Sequence, residues 1–366
     1  MNGETLPPAH FSANYAEARK RFIDAGRASG YEHDFHVNSG SPSPDTGPLY
    51  TDTMHIGPDD AEKLLIVTSG VHGVEGFTGS AIQLQALSKN ILSPLPEDMA
   101  VIFVHALNPY GFAYARRVNE HNVDLNRNFI DWRQQPPADH PLSAAAQKTL
   151  LPEEWSWPNK DMVFFLLRHG FNKSAAALTQ GNYNTPDGLF YGGRQAEWSH
   201  IVWSNIISSA GTPRTGHIAH IDLHTGLGPY GHGELITNAP VASAMFKRAQ
   251  SWWGTETVNS PIDGRKTVAK SVPTGLMNAA FNRVAGNISV TTTTLEFGTL
   301  SSLKVLHALA LDNWIHAKGQ QDTPLAETAR RKMMDAFCPT DPKWRRMVVE
   351  RGADVLLQAK KGLELS

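Results

Sequence analysis

Residues 64–75 read LLIVTSGVHGVE, and this stretch decides the fold. The run LLIVT at 64–68 is apolar and β-branched, short, and closed by Ser69-Gly70, which predicts a buried strand. His72 and Glu75 follow at once in a turn carrying Gly70, Gly73 and Gly76. A helix is expected over Thr78–Leu87. A second apolar run, AVIFVH at 100–105, stops at Asn108-Pro109, a turn signal. Strand, loop, helix, strand is the pattern of a largely parallel sheet. In open α/β sheets ligands gather at the carboxyl ends of strands, and that is where His72 and Glu75 stand.

Outward from that stretch, residues 13–29 predict a helix that stops near Gly30. HIAHIDLH at 217–224 predicts a strand followed by a loop over 225–228, and ISVTTTTLE at 288–296 a β-branched strand. A helix from Ser301 to Ala317 should follow, then charged helices from 323 onward, including 343–361. Residues 131–160, rich in Pro and Trp, read as an irregular insertion, and 161–180 as helix. GNYNTPDGLFYGGR at 181–194 reads as a loop over a site. The expected organisation is one catalytic α/β domain over 1–318, with 131–200 as an insertion or lid, and a helical extension over 319–366.

The 366 residues carry 33 Lys and Arg against 35 Asp and Glu, a net charge of -2. Nothing in that balance draws the chain to nucleic acid or to an anionic membrane. Cys338 is the single cysteine, which excludes an internal disulfide and a Cys-based metal cluster and leaves His and carboxylates as metal ligands. No apolar signal core or bilayer-length run is visible, so the expected location is cytoplasmic. The oligomeric state is open.

Four segments at strand ends carry chemistry. His72 and Glu75, three apart in a Gly-rich turn, can aim an imidazole and a carboxylate at one point, as a zinc ion requires. Alone they would suit an ordinary loop equally well. Asp222-Leu223-His224 ends a strand, and alternate residues share a face. His224 would complete a set of two His and one Glu with one position left for water. His217, His220 and His232 are its rivals, ranked lower because only His224 meets a Gly-rich exit. In the segment 124–129 (DLNRNF), polar residues are held between Leu125 and Phe129. The fork of Arg127 suits a carboxylate, and Asn126 adds a donor. Arg116 and Arg117 supply a second positive centre. Glu296 ends a Thr-rich strand, where a buried carboxylate is rare unless used and is placed to act as a general base.

The order H-x-x-E, N-P-x-G, R-x-N, D-L-N-R-N-F, D-L-H and a late Glu resembles the zinc carboxypeptidase family over about residues 60–318, in a bacterial branch of it. The resemblance implies a three-layer α/β sandwich with a twisted, mixed eight-stranded sheet between helices. It implies one Zn2+ per chain, with His72, Glu75 and His224 as ligands and Glu296 taking the proton from the attacking water. Arg117 would stabilise the oxyanion, Asn126 and Arg127 would grip the substrate's carboxylate, and Asp124 would hold a metal-binding imidazole. Tyr183 and Tyr191 are the candidates for a substrate-side tyrosine. The motifs are also similar to those of aspartoacylase and succinylglutamate desuccinylase relatives. The expected substrate is therefore a small peptide, with an N-acyl amino acid as the alternative. A zinc-binding protein without catalysis is a further alternative, against which Glu296 counts.

Overall fold

The run LLIVT forms the centre of a strand buried on both faces, which is what its unbroken apolar character requires. The computed structural model describes residues 9–44, 47–212, 214–255, 257–262 and 273–366. Eight strands form one sheet: β1 (Glu32–Asn38), β2 (Leu49–Ile56), β3 (Lys63–Ser69), β4 (Met99–His105), β5 (His217–Tyr230), β6 (Gly233–Ile236), β7 (Val258–Asn259) and β8 (Ser289–Gly298). Their spatial order is β1-β2-β4-β3-β5-β8-β6-β7. The four central strands β4, β3, β5 and β8 are parallel, and the antiparallel pairs β1–β2, β2–β4 and β6–β8 make the sheet mixed.

The helices are α1 (Tyr15–Ala28), α2 (Gly76–Ser88), α3 (Pro109–Tyr114), α4 (Ser143–Leu150), α5 (Lys160–His169), α6 (Phe171–Thr179), α7 (Trp198–Ala210), α8 (Ala244–Trp253), α9 (Met277–Ala285), α10 (Ser302–Ala317), α11 (Pro324–Phe337) and α12 (Pro342–Glu364). The period of two along β3 assigns them to layers. Leu65 and Val67 join a core with Phe22 of α1, Ile82 of α2, Phe246 of α8 and Trp344 of α12. Leu64 and Ile66 join the opposite core, with Trp203 of α7 and Phe281 of α9. A further apolar cluster brings α4, α5 and α6 together with α10 and α11, around Phe112, Phe165 and Phe337. Among the described residues no helix is long and apolar enough to cross a membrane.

Three sequence expectations change. The loop expected at 225–228 lies within β5, whose pairing with β8 slips from Thr225–Phe297 to Tyr230–Gly298. The bulge forms where Gly226 takes φ +124, a conformation that side chains disfavour. The helix expected over 161–180 is two, α5 and α6, with a turn at Gly170. The stretch 131–160 is not wholly irregular, since it contains α4. The charged tail folds into the main core, where Val348 and Val355 of α12 lie in one cluster with Ile82 and Leu223.

Candidate active site

His72 and Glu75 lie on the turn from β3 into α2. Two backbone bonds pin that turn: Gly73 N donates to Arg117 O at 3.1 Å and Val74 N to Arg116 O at 2.8 Å. Gly73 presses so closely on α3 that a Cβ would fall 2.0 Å from the Gly111 carbonyl carbon, which leaves room for glycine alone. The neighbouring strand delivers His224, in register beside Glu296 of β8.

The side chains converge. His72 Nδ1 is 2.8 Å from Glu75 Oε1, His224 Nδ1 is 3.0 Å from Glu75 Oε2, and the two Nδ1 atoms are 3.1 Å apart. Behind them His224 Nε2 lies 2.6 Å from Asp222 Oδ2, and His72 Nε2 lies 3.2 Å from Asp124 Oδ1. A carboxylate stands beside each Nε2 and the Glu75 carboxylate beside each Nδ1. With the ring protons at Nε2, both Nδ1 lone pairs face each other and the Glu75 carboxylate. Three such electron-pair donors repel unless a cation or a proton lies among them. Two imidazoles and one carboxylate, with no thiolate, form a donor set that suits a divalent metal of the zinc type. A second grouping, Glu32 with His55 and Asp59, is not buried, and carboxylates gather at surfaces without any metal.

Charge reinforces the cradle. Burial pushes the Glu75 carboxyl up, but His72 and His224 outweigh it and hold it below the usual carboxylate range. Burial opposes ionisation of Asp124 as well, and Arg117, Arg127 and His72 reverse it. Arg117 spans the two, with Nε donating to Asp124 Oδ2 at 2.9 Å and Nη1 to Glu75 Oε1 at 3.3 Å. Glu296 Oε1 accepts the Leu227 amide at 3.0 Å. Burial and the nearby Glu75 charge push the Glu296 carboxyl up to about 8. A divalent cation in the cradle would draw it down again.

His72, Glu75, Arg117, Arg127 and Glu296 all open on one cavity of about 630 Å³. Phe190 lies on its wall, 5.4 Å from the guanidinium carbons of both Arg117 and Arg127. Arg127 Nη1 donates to Asn126 O and Nη2 to Thr179 O, each at 2.8 Å. Its Nε is buried and has no hydrogen-bond partner among the described residues. Asn126, expected beside Arg127 as a second donor, turns its carboxamide oxygen to Met277 N at 2.8 Å. That amide opens α9 and has no partner within the helix, so Asn126 caps α9 and is not among the cavity's lining residues.

The other sequence candidates fall outside the cavity. Arg116 turns away to Asp312 at 3.0 Å. His217 and His220 are bound to threonine hydroxyls, and His232 is exposed. Tyr183 donates its hydroxyl to Arg127 O at 2.8 Å, and Tyr191 accepts Asp124 N at its backbone oxygen. Two contributors had no role in the sequence reading. Asp222 stands behind His224, and the signal for it was its place two residues earlier on the same strand face. The Thr225 amide donates to Glu75 Oε2 at 2.9 Å, and no side-chain pattern announces a backbone donor.

Comparison with known proteins bears on the fold. Bovine thrombin-activatable fibrinolysis inhibitor, solved in complex with tick carboxypeptidase inhibitor, is 12% identical with a TM-score of 0.54, covering 97% of this chain and 98% of that chain. Carboxypeptidase A from Helicoverpa armigera is 13% identical with a TM-score of 0.45, covering 93% and 73%. The succinylglutamate desuccinylase from Chromobacterium violaceum is 13% identical with a TM-score of 0.39, covering 88% and 74%. The first likeness bears out the carboxypeptidase-type α/β sandwich with its mixed sheet, and the other two are too remote to argue from. No curated protein matches the sequence. The family profile described as "Protein of unknown function (DUF2817)" spans residues 11–351, and the chain belongs to that family.

Proposed function

We propose that the protein is a zinc-dependent hydrolase, with one zinc per chain, that cleaves an amide bond beside a free carboxylate in a small peptide or an N-acyl amino acid. The observation that carries this reading is the meeting of His72, Glu75 and His224 within 3.1 Å, beside a cavity that His72 and Glu75 line together with Glu296 and Arg117.

His72 and His224, through Nδ1, and the Glu75 carboxylate would hold the metal. Bound there, a zinc ion supplies Lewis acidity, which makes a water acidic near neutrality and polarises a carbonyl. Asp124 and Asp222 fix the tautomer and aim of the two rings. Glu296, held by the Leu227 amide, accepts a proton from the attacking water and returns it to the leaving nitrogen. Arg117 offers positive charge to the oxygen that becomes negative as the carbonyl carbon turns tetrahedral. Arg127, with its Nε–H uncommitted, meets the substrate's carboxylate. The apolar walls around these groups exclude water and strengthen each charge interaction.

The test is Glu296→Gln, assayed against short peptides and N-acyl amino acids. The variant should keep one zinc per chain and lose turnover by about a thousandfold. Turnover at the wild-type rate would remove Glu296 from its role.

A further inference from the structure

The cavity beside Glu296 has a second half that the chemistry does not use. Its volume of about 630 Å³ suits a drug-sized molecule rather than a single small side chain. Most of α6 lines it, with Phe171, Ala175 and Leu178 at helical spacing as the apolar stripe among polar neighbours such as Asn172 and Ser174. The far end of that stripe begins at the substrate-facing arginine, because Thr179 O holds Arg127 Nη2 at 2.8 Å. Phe171 lies eight residues earlier, which is roughly 12 Å along the helix axis. Met162, Phe165 and Leu166 of α5 and Val305, Leu306 and Leu309 of α10 complete the walls. Among the described lining residues, α4, α5, α6 and α10 contribute no charged side chain.

The mouth is apolar too. Phe171 and Leu303 line the cavity while remaining 53% and 57% exposed. Leu167, near the end of α5, is 81% exposed without lining the cavity. The slot's polar lining groups, Thr149, Asn172, Ser174, Thr179 and Ser302, are uncharged and in the minority, so a short polar peptide gains little from its length. A long hydrocarbon chain gains from both slot and mouth, because each methylene taken out of water favours binding.

The geometry points to an amphiphilic substrate, an N-acyl amino acid whose long aliphatic chain runs along α6 between α5 and α10 while its carboxylate meets Arg127 and its amide reaches Glu296. This rests on the hydrolase reading above. The reaction consumes one water. Its oxygen joins the acyl carbon, the carbon–nitrogen bond breaks, and a fatty acid and a free amino acid leave, with Glu296 carrying the proton to nitrogen.

The test is a ladder of N-acetyl-, N-octanoyl-, N-lauroyl- and N-palmitoylglycine given to the zinc-loaded full chain, beside N-acetylphenylalanine. Catalytic efficiency should rise roughly fourfold per methylene until the cavity fills, and so by about four thousandfold over the roughly six methylenes from acetyl to octanoyl. Ala175→Phe, which narrows the slot, should move the optimum to shorter chains. A rate independent of acyl length, or N-acetylphenylalanine surpassing N-lauroylglycine, would overturn the inference and leave the hydrolase reading intact. Calorimetric binding of the same ladder to the Glu296→Gln protein separates the two readings. Affinity that grows with chain length supports the slot even if no substrate is turned over, and flat affinity overturns it whatever the wild-type rates.

Discussion

The strand-end cradle and the helical wall face each other across one cavity and are built on opposite principles. In the cradle, each polar atom of Glu75 is engaged: Oε1 by His72 and Arg117, Oε2 by His224 and the Thr225 amide. Parallel strands fix the backbones, so the side chains have little freedom. In the wall, α4 to α6 and α10 present mainly alkyl and aromatic surface, with uncharged polar groups such as Ser174 and Asn172 among it. Such surfaces tolerate exchange of shape. Rigid polar placement serves chemistry, which fails over fractions of an ångström. The softer wall serves selection of what enters.

The comparison can be broken by adding atoms on each side. Gly73→Ala would set a methyl 2.0 Å from the Gly111 carbonyl carbon. The turn carrying His72 and Glu75 must then shift, and a loss of about 3 kcal/mol is expected together with loss of metal binding. Denaturant melts with and without zinc measure both. A variant as stable and as metal-competent as the parent would show that the cradle is not rigid.

Acid should expose the rigid half of the molecule in another way. His105, at the end of β4, is fully buried, bonded to Ser80 at 2.9 Å and stacked on Phe22 at 4.5 Å. Burial pushes its imidazole down to about 4 from an ordinary 6.5. Between those values the unfolded chain binds a proton that the folded chain refuses, so stability falls as pH drops from 6.5 towards 4. The full effect is on the order of 3 kcal/mol at the acid end. His200, His217, His220 and His316 are pushed down to about 4 in the same way, so urea unfolding at pH 7.5 and at pH 5 should show a loss in the parent that His105→Phe reduces by one histidine's share. Equal losses in both would assign the acid sensitivity to other groups.

The smallest effect is expected in the wall. Ala175→Phe inserts a large ring, but into open cavity, so stability should change by less than about 1 kcal/mol. A thermal melt reads it. A loss as large as that of Gly73→Ala would erase the contrast between the two regions.

What the sequence made legible follows the same division. LLIVT, AVIFVH and ISVTTTTLE are unbroken apolar or β-branched runs, and all three lie in central strands of the parallel core. The first leads into His72 and Glu75 and the third carries Glu296, while His224 comes from HIAHIDLH of β5, and strand register alone places it beside Glu296. β1, by contrast, is EHDFHVN, a polar edge strand with neither an apolar run nor a clean alternation to mark it. The wall was hidden for a different reason. Phe165 or Leu309 facing a cavity has the same sequence signal as a residue facing a core, because both are apolar positions at helical spacing. The second task of Asn126 was hidden as well, because its carboxamide oxygen accepts the amide of Met277, 151 residues away in the chain, and no local pattern reports that partner.

Elemental analysis of the purified protein, after incubation with zinc and removal of the excess, reaches the central claim most directly. The account predicts one zinc ion per chain, abolished in the His72→Ala, His224→Ala double variant. A parent protein without stoichiometric metal, or a double variant that binds it as well as the parent, would contradict the account.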